Sequence, residues 1–186
     1  ICPDSWADCE DQGELIGVVH SHTHGSAYPS DADKASCEEL DLPFYIYSVQ
    51  NDDWNYIEPN GYESGLYGRT WIWGVHDCYS LITDYFFKNK QIKLKFWPRP
   101  KNIKQFVNNP YFEKILIESG FIEVDKNNIK EDDVLLMEGP KEKLNHVALY
   151  IGNQTIFHHA IKKLSCREIY DLKYIQATKK VFRYAT

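Results

Sequence analysis

No apolar run in this 186-residue chain approaches the ~20 residues that a membrane-spanning helix requires, so no span is expected. Positive charge is not in surplus either. Lys and Arg number 21 against 27 Asp and Glu, a net charge of −6, and nothing favours a nucleic acid or an anionic membrane surface as partner. No Cys-x-x-Cys pair is present. The five cysteines, Cys2, Cys9, Cys37, Cys78 and Cys166, are odd in number and irregularly spaced, which argues against a disulfide framework and for a reducing compartment. Internal repeats and low-complexity tracts are absent. The opening residues, Ile1-Cys2-Pro3-Asp4, carry no basic segment, no signal-peptide core and no initiator Met, so a longer parent chain is expected.

What is present bounds the answer further. Hydrophobic residues make up 43% and charged residues 26%, the balance of a globular chain long enough for one sizeable domain or two small ones. Aromatic residues reach 15%, which implies either rings exposed for binding or assembly, or rings crowded into a small β core.

Two segments are legible. In the first, Leu15 to His20 reads as a buried strand, and Ser30 is placed to cap a helix from Asp31 to about Leu40. Phe44 to Val49 and Trp54 to Ile57 read as strands joined through Asn51-Asp52-Asp53. Asn60 to Gly65 has turn residues and no apolar period, and marks the boundary. The expected domains are therefore 1–60 and 66–186. In the second, Cys78 opens a helix in which Leu81, Ile82, Tyr85 and Phe86 recur at helical spacing. Trp97-Pro98-Arg99-Pro100 leads to a helix from Tyr111 to Ser119, stopped by Gly120. Strands follow at Val134 to Met137, His146 to Ile151 and Thr155 to His158, the last two joined by Gly152-Asn153-Gln154. A helix first and antiparallel strands after make an α+β pattern.

Two constellations carry chemistry. A helix N-terminus favours a thiolate, and Cys78 sits where that field acts. An imidazole completes the activation and then protonates a leaving amine. His146 and His158 lie on adjacent strands of a tight hairpin, so their rings can meet. His159 faces the other way if the strand is regular, so His158 is the preferred orienting partner. In the first segment, His20 and His22 share one face of a strand, and Asp33 on the following helix can close on them. Two imidazoles, a carboxylate and a water form a tetrahedral zinc site with an open position, the geometry of metal-assisted hydrolysis.

The second segment resembles the NlpC-type cysteine peptidases, papain-like enzymes that cut the peptide stems of bacterial peptidoglycan. The resemblance lies in Trp73-Gly74, Asp77-Cys78, Asp132-Asp133-Val134-Leu135-Leu136, and His146-Val147-Ala148-Leu149-Tyr150-Ile151-Gly152 followed by His158. It implies a helix carrying the cysteine packed on an antiparallel sheet, with Cys78 as nucleophile, His146 as base and acid, and His158 as its orienter. It also implies an oxyanion held by the Cys78 N–H and a nearby donor. Tyr79-Ser80 stands where the family usually has Ser-Gly, and the larger Tyr79 is expected to reshape the substrate groove.

His20-x-His22-x7-Ser30-x2-Asp33 resembles the JAMM signature of MPN-type metallopeptidases. That implies zinc on His20, His22 and Asp33, support from Ser30, and a glutamate base on an earlier strand. Thr23-His24 replaces the usual proline, and Glu10 and Glu14 lie too close to His20 to serve as base. The segment is about half an MPN-type α/β domain. Zinc-binding residues without a demonstrable base are thus expected.

The two halves in this order resemble the tail tip proteins of lambda-like phages, also through Pro3-Asp4-Ser5-Trp6, Asp11-Gln12-Gly13-Glu14 and Leu164-Ser165-Cys166-Arg167-Glu168. That implies a role at the phage tail tip and in the host cytoplasm during assembly, with action at the host cell wall. The implied partners are peptidoglycan stem peptides and other tail tip proteins. A non-catalytic assembly factor and a zinc isopeptidase processing a tail protein are the alternatives.

Overall fold

The structure is a computed structural model that describes residues 9, 12–95, 97, 99, 103–108, 111–139 and 143–185. Cys2, the Pro3-Asp4-Ser5-Trp6 motif, Glu10, Asp11, Pro98 and Pro100 lie outside the described residues. The chain divides into two compact units, Ile1–Gly65 and Leu66–Thr186.

In the first unit, β1 (Val18–His22), α1 (Asp31–Leu40), β2 (Phe44–Ser48) and β3 (Asp53–Ile57) follow in order. β1 pairs parallel with β2 from Val18↔Phe44 to His22↔Ser48, and β2 pairs antiparallel with β3. A parallel pair needs a crossover, and α1 supplies it. Ser30 caps α1 through a capping box with Asp33. Val18, Ala27, Cys37, Phe44 and Ile46 form the core. The expected strand from Leu15 begins only at Val18, and Ile16 is 84% exposed. Gly17 runs tight against Pro43, and the ladder with β2 starts one residue later.

The second unit holds α2 (Cys78–Lys90), α3 (Ile103–Asn108), α4 (Phe112–Glu118), β4 (Phe121–Val124), β5 (Val134–Gly139), β6 (Lys143–Tyr150), β7 (Thr155–His158), β8 (Cys166–Ile169), α5 (Leu172–Ala177) and β9 (Thr178–Tyr184). Its six strands run in the order β4-β9-β5-β6-β7-β8, every pair antiparallel. Alternation sorts the side chains onto two faces. Val134, Leu136, Val147, Leu149, Phe157 and Phe182 pack with Leu81, Ile82 and Phe86 of α2. Leu135, Met137, Ala148, Ile156 and Val181 pack with Tyr174 of α5. Fully burying each large apolar side chain contributes roughly 1.5–3 kcal/mol, so this two-sided core is what fixes α2 against β6. The aromatic residues are found both inside and outside: Phe86, Phe112, Phe157 and Phe182 are buried, whereas Trp54 and Tyr56 are exposed on β3.

Candidate active site

Cys78 is the first residue of α2, and a local cap holds it there. Asp77 accepts from the N–H groups of Tyr79 at 3.0 Å and Ser80 at 2.9 Å, while the Ser80 hydroxyl accepts from the Asp77 N–H at 2.7 Å. The same carboxylate is gripped on both oxygens by Arg99, at 2.8 Å from Nε and 2.9 Å from Nη2. Asp77 is fully buried and the Arg99 side chain is 6% exposed, with its guanidinium over the Trp73 and Tyr79 rings. Burial raises the Asp77 carboxyl, Arg99 outweighs it, and the net direction is downward. Arg99 is not legible in the sequence as part of the site. Its only signal there is a cation set between two prolines.

Residues on β6 meet the sulfur from the other side. Ile151 donates its N–H to the Thr155 carbonyl at 3.0 Å, so the backbone groups of Ile151, and by alternation those of Leu149 and Val147, face β7. Pairing with β7 ends at Ala148↔His158. The Val147 N–H is thereby free of the ladder, and Val147 packs in one core with Cys78, where its N–H pulls the thiol toward thiolate.

His146 and Ala148 share a face of β6, and Ala148 stands opposite His158, so the two histidines are diagonal neighbours. This is the face that packs on Tyr174, whereas Cys78 packs with Val147 on the other. Their rings meet edge-on, with His146 Nε2 3.0 Å from His158 Nδ1. The hairpin that brings them together turns through Gly152, Asn153 and Gln154, all at positive φ. His158 is 2% exposed. Its Nε2 faces Glu168 at 3.7 Å, beyond hydrogen-bond length, and Tyr174 donates its hydroxyl to that carboxylate. His159 is also buried, near the backbones of Arg69 and Lys163 and within reach of the Asp77 charge, and neither ring nitrogen has a well-formed hydrogen bond.

The field at the start of α2 does not win at Cys78. Burial, then the Asp77 charge, pushes the thiol up to about 12, against the pull of the Val147 N–H. Burial, then His158 and His159, pushes His146 down to about 3. At neutral pH the resting residues are therefore thiol and neutral imidazole, in place of the thiolate expected from the helix terminus alone. Tyr79 also departs from expectation. It is 1% exposed, stacked on Phe112 and hydrogen-bonded to Ser119 at 2.9 Å, so it shapes the core under Cys78 and lines no groove. A cleft of about 460 Å3 near Tyr67, Tyr85 and Arg167 is lined by none of Cys78, His146 and His158.

In the first unit, His20 and His22 project from one side of β1 toward Asp33 on α1. His20 Nε2 lies 3.1 Å from Asp33 Oδ1, and His22 Nε2 lies 3.2 Å from Asp33 Oδ2 and 3.3 Å from His20 Nε2. His22 Nδ1 donates to the Ser26 carbonyl at 2.9 Å, which leaves its Nε2 lone pair for the cluster. Ser30 donates its hydroxyl to Asp33 Oδ2 at 2.6 Å. Burial raises the Asp33 carboxyl, but bonds from His20 and Ser30 outweigh it and hold the group well below the carboxylate range. Two imidazoles and an ionised carboxylate, all within 4.8 Å of one another, are a donor set that fits zinc. Glu14 is exposed and lies outside β1.

A helix-capped cysteine thus packs with the residue next to His146, on an antiparallel sheet that carries a two-histidine hairpin. The chain belongs to the NlpC/P60 family, whose model matches residues 68–183, and it carries ahead of that a match to prokaryotic homologs of the JAB domain over residues 5–58. Over its whole length it is similar to tail tip assembly protein K of two lambda-like phages. It is 31% identical to that of Escherichia phage N15 over 186 residues, covering 99% of this chain and 75% of the relative. It is 30% identical to that of Escherichia phage lambda over 182 residues, covering 98% and 88%. Among solved structures, an NlpC/P60 family protein from Bacillus cereus is similar at a TM-score of 0.42 and 17% identity, over 72% of this chain and 45% of that one.

Proposed function

We propose that residues 66–186 form a cysteine endopeptidase domain that cuts peptidoglycan stem peptides beside a diamino acid, and that the chain acts at a phage tail tip. Cys78 is the nucleophile, His146 its base and acid, and His158 the residue that orients His146. What supports this most is the 3.0 Å contact between His146 Nε2 and His158 Nδ1, on the strand whose next residue, Val147, packs in one core with Cys78. With its Nε2 proton donated to His158 Nδ1, His146 presents Nδ1 as an acceptor. Because thiol and imidazole rest neutral, catalysis requires the His146 ring to come within reach of the sulfur around the edge of β6, and the proton then passes from sulfur to Nδ1 as the sulfur attacks the scissile carbonyl. The developing oxyanion takes the Cys78 N–H, which remains available because Asp77 engages the next two N–H groups of the helix. His146 then delivers its proton to the leaving amine.

The tail tip role rests on the names of the two relatives, and it implies other tail tip proteins as partners. The chain would be assembled in the host cytoplasm and act at the cell wall. Among the described residues no helix is long and apolar enough to cross a membrane. Digestion of purified sacculi with the wild-type chain and with Cys78→Ala, followed by mass analysis, tests the activity. Stem-peptide fragments released by the wild type alone are expected. Release by neither protein, in a chain that still supports tail assembly, would leave a non-catalytic assembly factor.

The cluster in the first unit favours one further reading, a zinc isopeptidase segment spanning residues 1–60 that processes a tail protein. His20, His22 and Asp33 would hold the metal, with Ser30 fixing Asp33. Zinc bound there supplies Lewis-acid activation of water.

A further inference from the structure

A second group of ligating side chains lies directly behind His158. On β8, Cys166 stands opposite His158, and Glu168 follows two residues later on the same side of the strand. Glu168 Oε2 is 3.7 Å from His158 Nε2, and Oε1 is 3.8 Å from the Cys166 sulfur. One ligand atom from each residue falls within 4.8 Å of the others. His158 Nε2 is buried, has no hydrogen-bond partner, and faces this group. Zinc bonds of ~2.0–2.3 Å in a tetrahedron place ligand atoms roughly 3.3–3.8 Å apart, close to the spacing found. A buried nitrogen with nothing to bond, aimed at a thiol and a carboxylate, is poorly explained by packing.

We propose that His158, Cys166 and Glu168 bind a borderline-soft divalent cation of the zinc class, and that its binding switches the cysteine site off. The consequence for catalysis rests on the cysteine peptidase proposed above. In the active arrangement His158 carries its proton on Nε2 and accepts at Nδ1 from His146. A cation on Nε2 displaces that proton and takes the lone pair left there, so the neutral ring must carry its proton on Nδ1. The proton comes from His146 Nε2 across the 3.0 Å contact, and the proton lost from His158 Nε2 is regained from solvent at His146 Nδ1. Both rings remain neutral, and Cys166 releases its thiol proton to solvent. His146 is then left with an N–H and no lone pair at Nδ1, the atom that the peptidase reading needs as acceptor for the nucleophile's proton. Metal and catalysis thus compete for one tautomer.

Titration of Co2+ into the reduced full chain tests the site without reference to activity. A thiolate-to-cobalt charge-transfer band is expected, lost in Cys166→Ser and in Cys166→Ala and retained in Cys78→Ser, with far-ultraviolet circular dichroism confirming that each variant is folded. Absence of the band in the wild type, its survival in both Cys166 variants, or its loss in Cys78→Ser would overturn the site. Zn2+ added to the sacculus assay, in a His20→Ala/His22→Ala background, is expected to inhibit the chain that retains Cys166 and to spare the chain that also carries Cys166→Ser. Equal inhibition of both would overturn the coupling. Should the metal-free chain release no fragments at all, the peptidase assignment fails, while the cobalt spectrum still decides the metal site.

Discussion

The two histidine clusters of this chain manage protons in opposite ways. In the first unit, a carboxylate is held ionised between two imidazoles by hydrogen bonds from Ser30 and His20, near solvent. In the second, burial outweighs every favourable contact and leaves both Cys78 and His146 uncharged. One cluster keeps a fixed negative charge and the lone pair of His22 Nε2, which suits holding a cation. The other keeps a transferable proton and no charge, which suits moving that proton once a substrate arrives. The same residue type thus serves different chemistry according to whether hydrogen bonds or desolvation dominate its surroundings.

The sharpest way to break this comparison is Cys78→Ala. Loss of the nucleophile is expected to lower sacculus hydrolysis on the order of 10^4-fold or more, whereas a chelator should leave the metal-free wild-type rate unchanged. A chelator-sensitive rate that survives Cys78→Ala would assign the activity to the first unit instead.

Next in size is Asp77→Asn. Asp77 caps α2 and neutralises a buried guanidinium, so its loss strands Arg99 among the Trp73 and Tyr79 rings. Breaking a buried pair on one side costs about 3–5 kcal/mol. Denaturant unfolding with hydrogen exchange read separately in each unit should show the loss in residues 66–186 only. Adding Arg99→Met should recover part of it, because the uncompensated charge is then gone.

These two sites are not equally legible in the sequence. α1, α2 and the β6–β7 hairpin announce themselves locally, through Ser30, Asp77 and the Gly152-Asn153-Gln154 turn, and together with β1, which holds His20 and His22, they carry Asp33, Cys78, His146 and His158. β9 does not, although it lies between β4 and β5 in the sheet, because its partners are distant in sequence and Lys179 and Lys180 interrupt any apolar pattern. The short strand β8 escapes notice because its inward positions are Cys166 and Glu168 while Ile169 is exposed, so no apolar alternation marks it, and with it goes the placement of Glu168 behind His158. The Asp77–Arg99 pair spans a loop that no local pattern reports. The protonation of Cys78 differs from expectation because a helix terminus is visible in sequence and desolvation is not.

A pH series sharpens the comparison further. His146 is pushed down to about 3 from 6.5, so between these values the unfolded chain binds a proton that the native one refuses. Stability of the second unit should therefore fall as pH drops below about 6.5. Cys78 is pushed up to about 12 from 9.0, so the native chain keeps a proton that the unfolded one releases, and stability should fall again as pH rises above 9.0. Chemical denaturation across this range checks both limbs. His146→Ala should flatten the acid limb and Cys78→Ala the alkaline one. An acid limb unchanged in His146→Ala would show that burial of this ring is not its source.

The smallest expected effect isolates the first cluster. Ser30 accepts from the Asp33 N–H at 3.2 Å and donates to its carboxylate, so Ser30→Ala removes a helix cap and one of the bonds that keep Asp33 ionised. Loss of such a cap costs ~1 kcal/mol. The depressed Asp33 carboxyl contributes stability that is present above its unfolded value of 3.8 and lost as pH falls through its lower native one. Ser30→Ala should raise the native value, and with it the pH at which zinc is released from His20, His22 and Asp33. Zinc titrations at descending pH, with wild type and variant compared, check this. Because the change acts through a carboxylate and not through burial, it should leave the pH limbs of the second unit where they were. If Ser30→Ala left the pH of zinc release unchanged, hydrogen bonding from Ser30 would not be what keeps Asp33 charged.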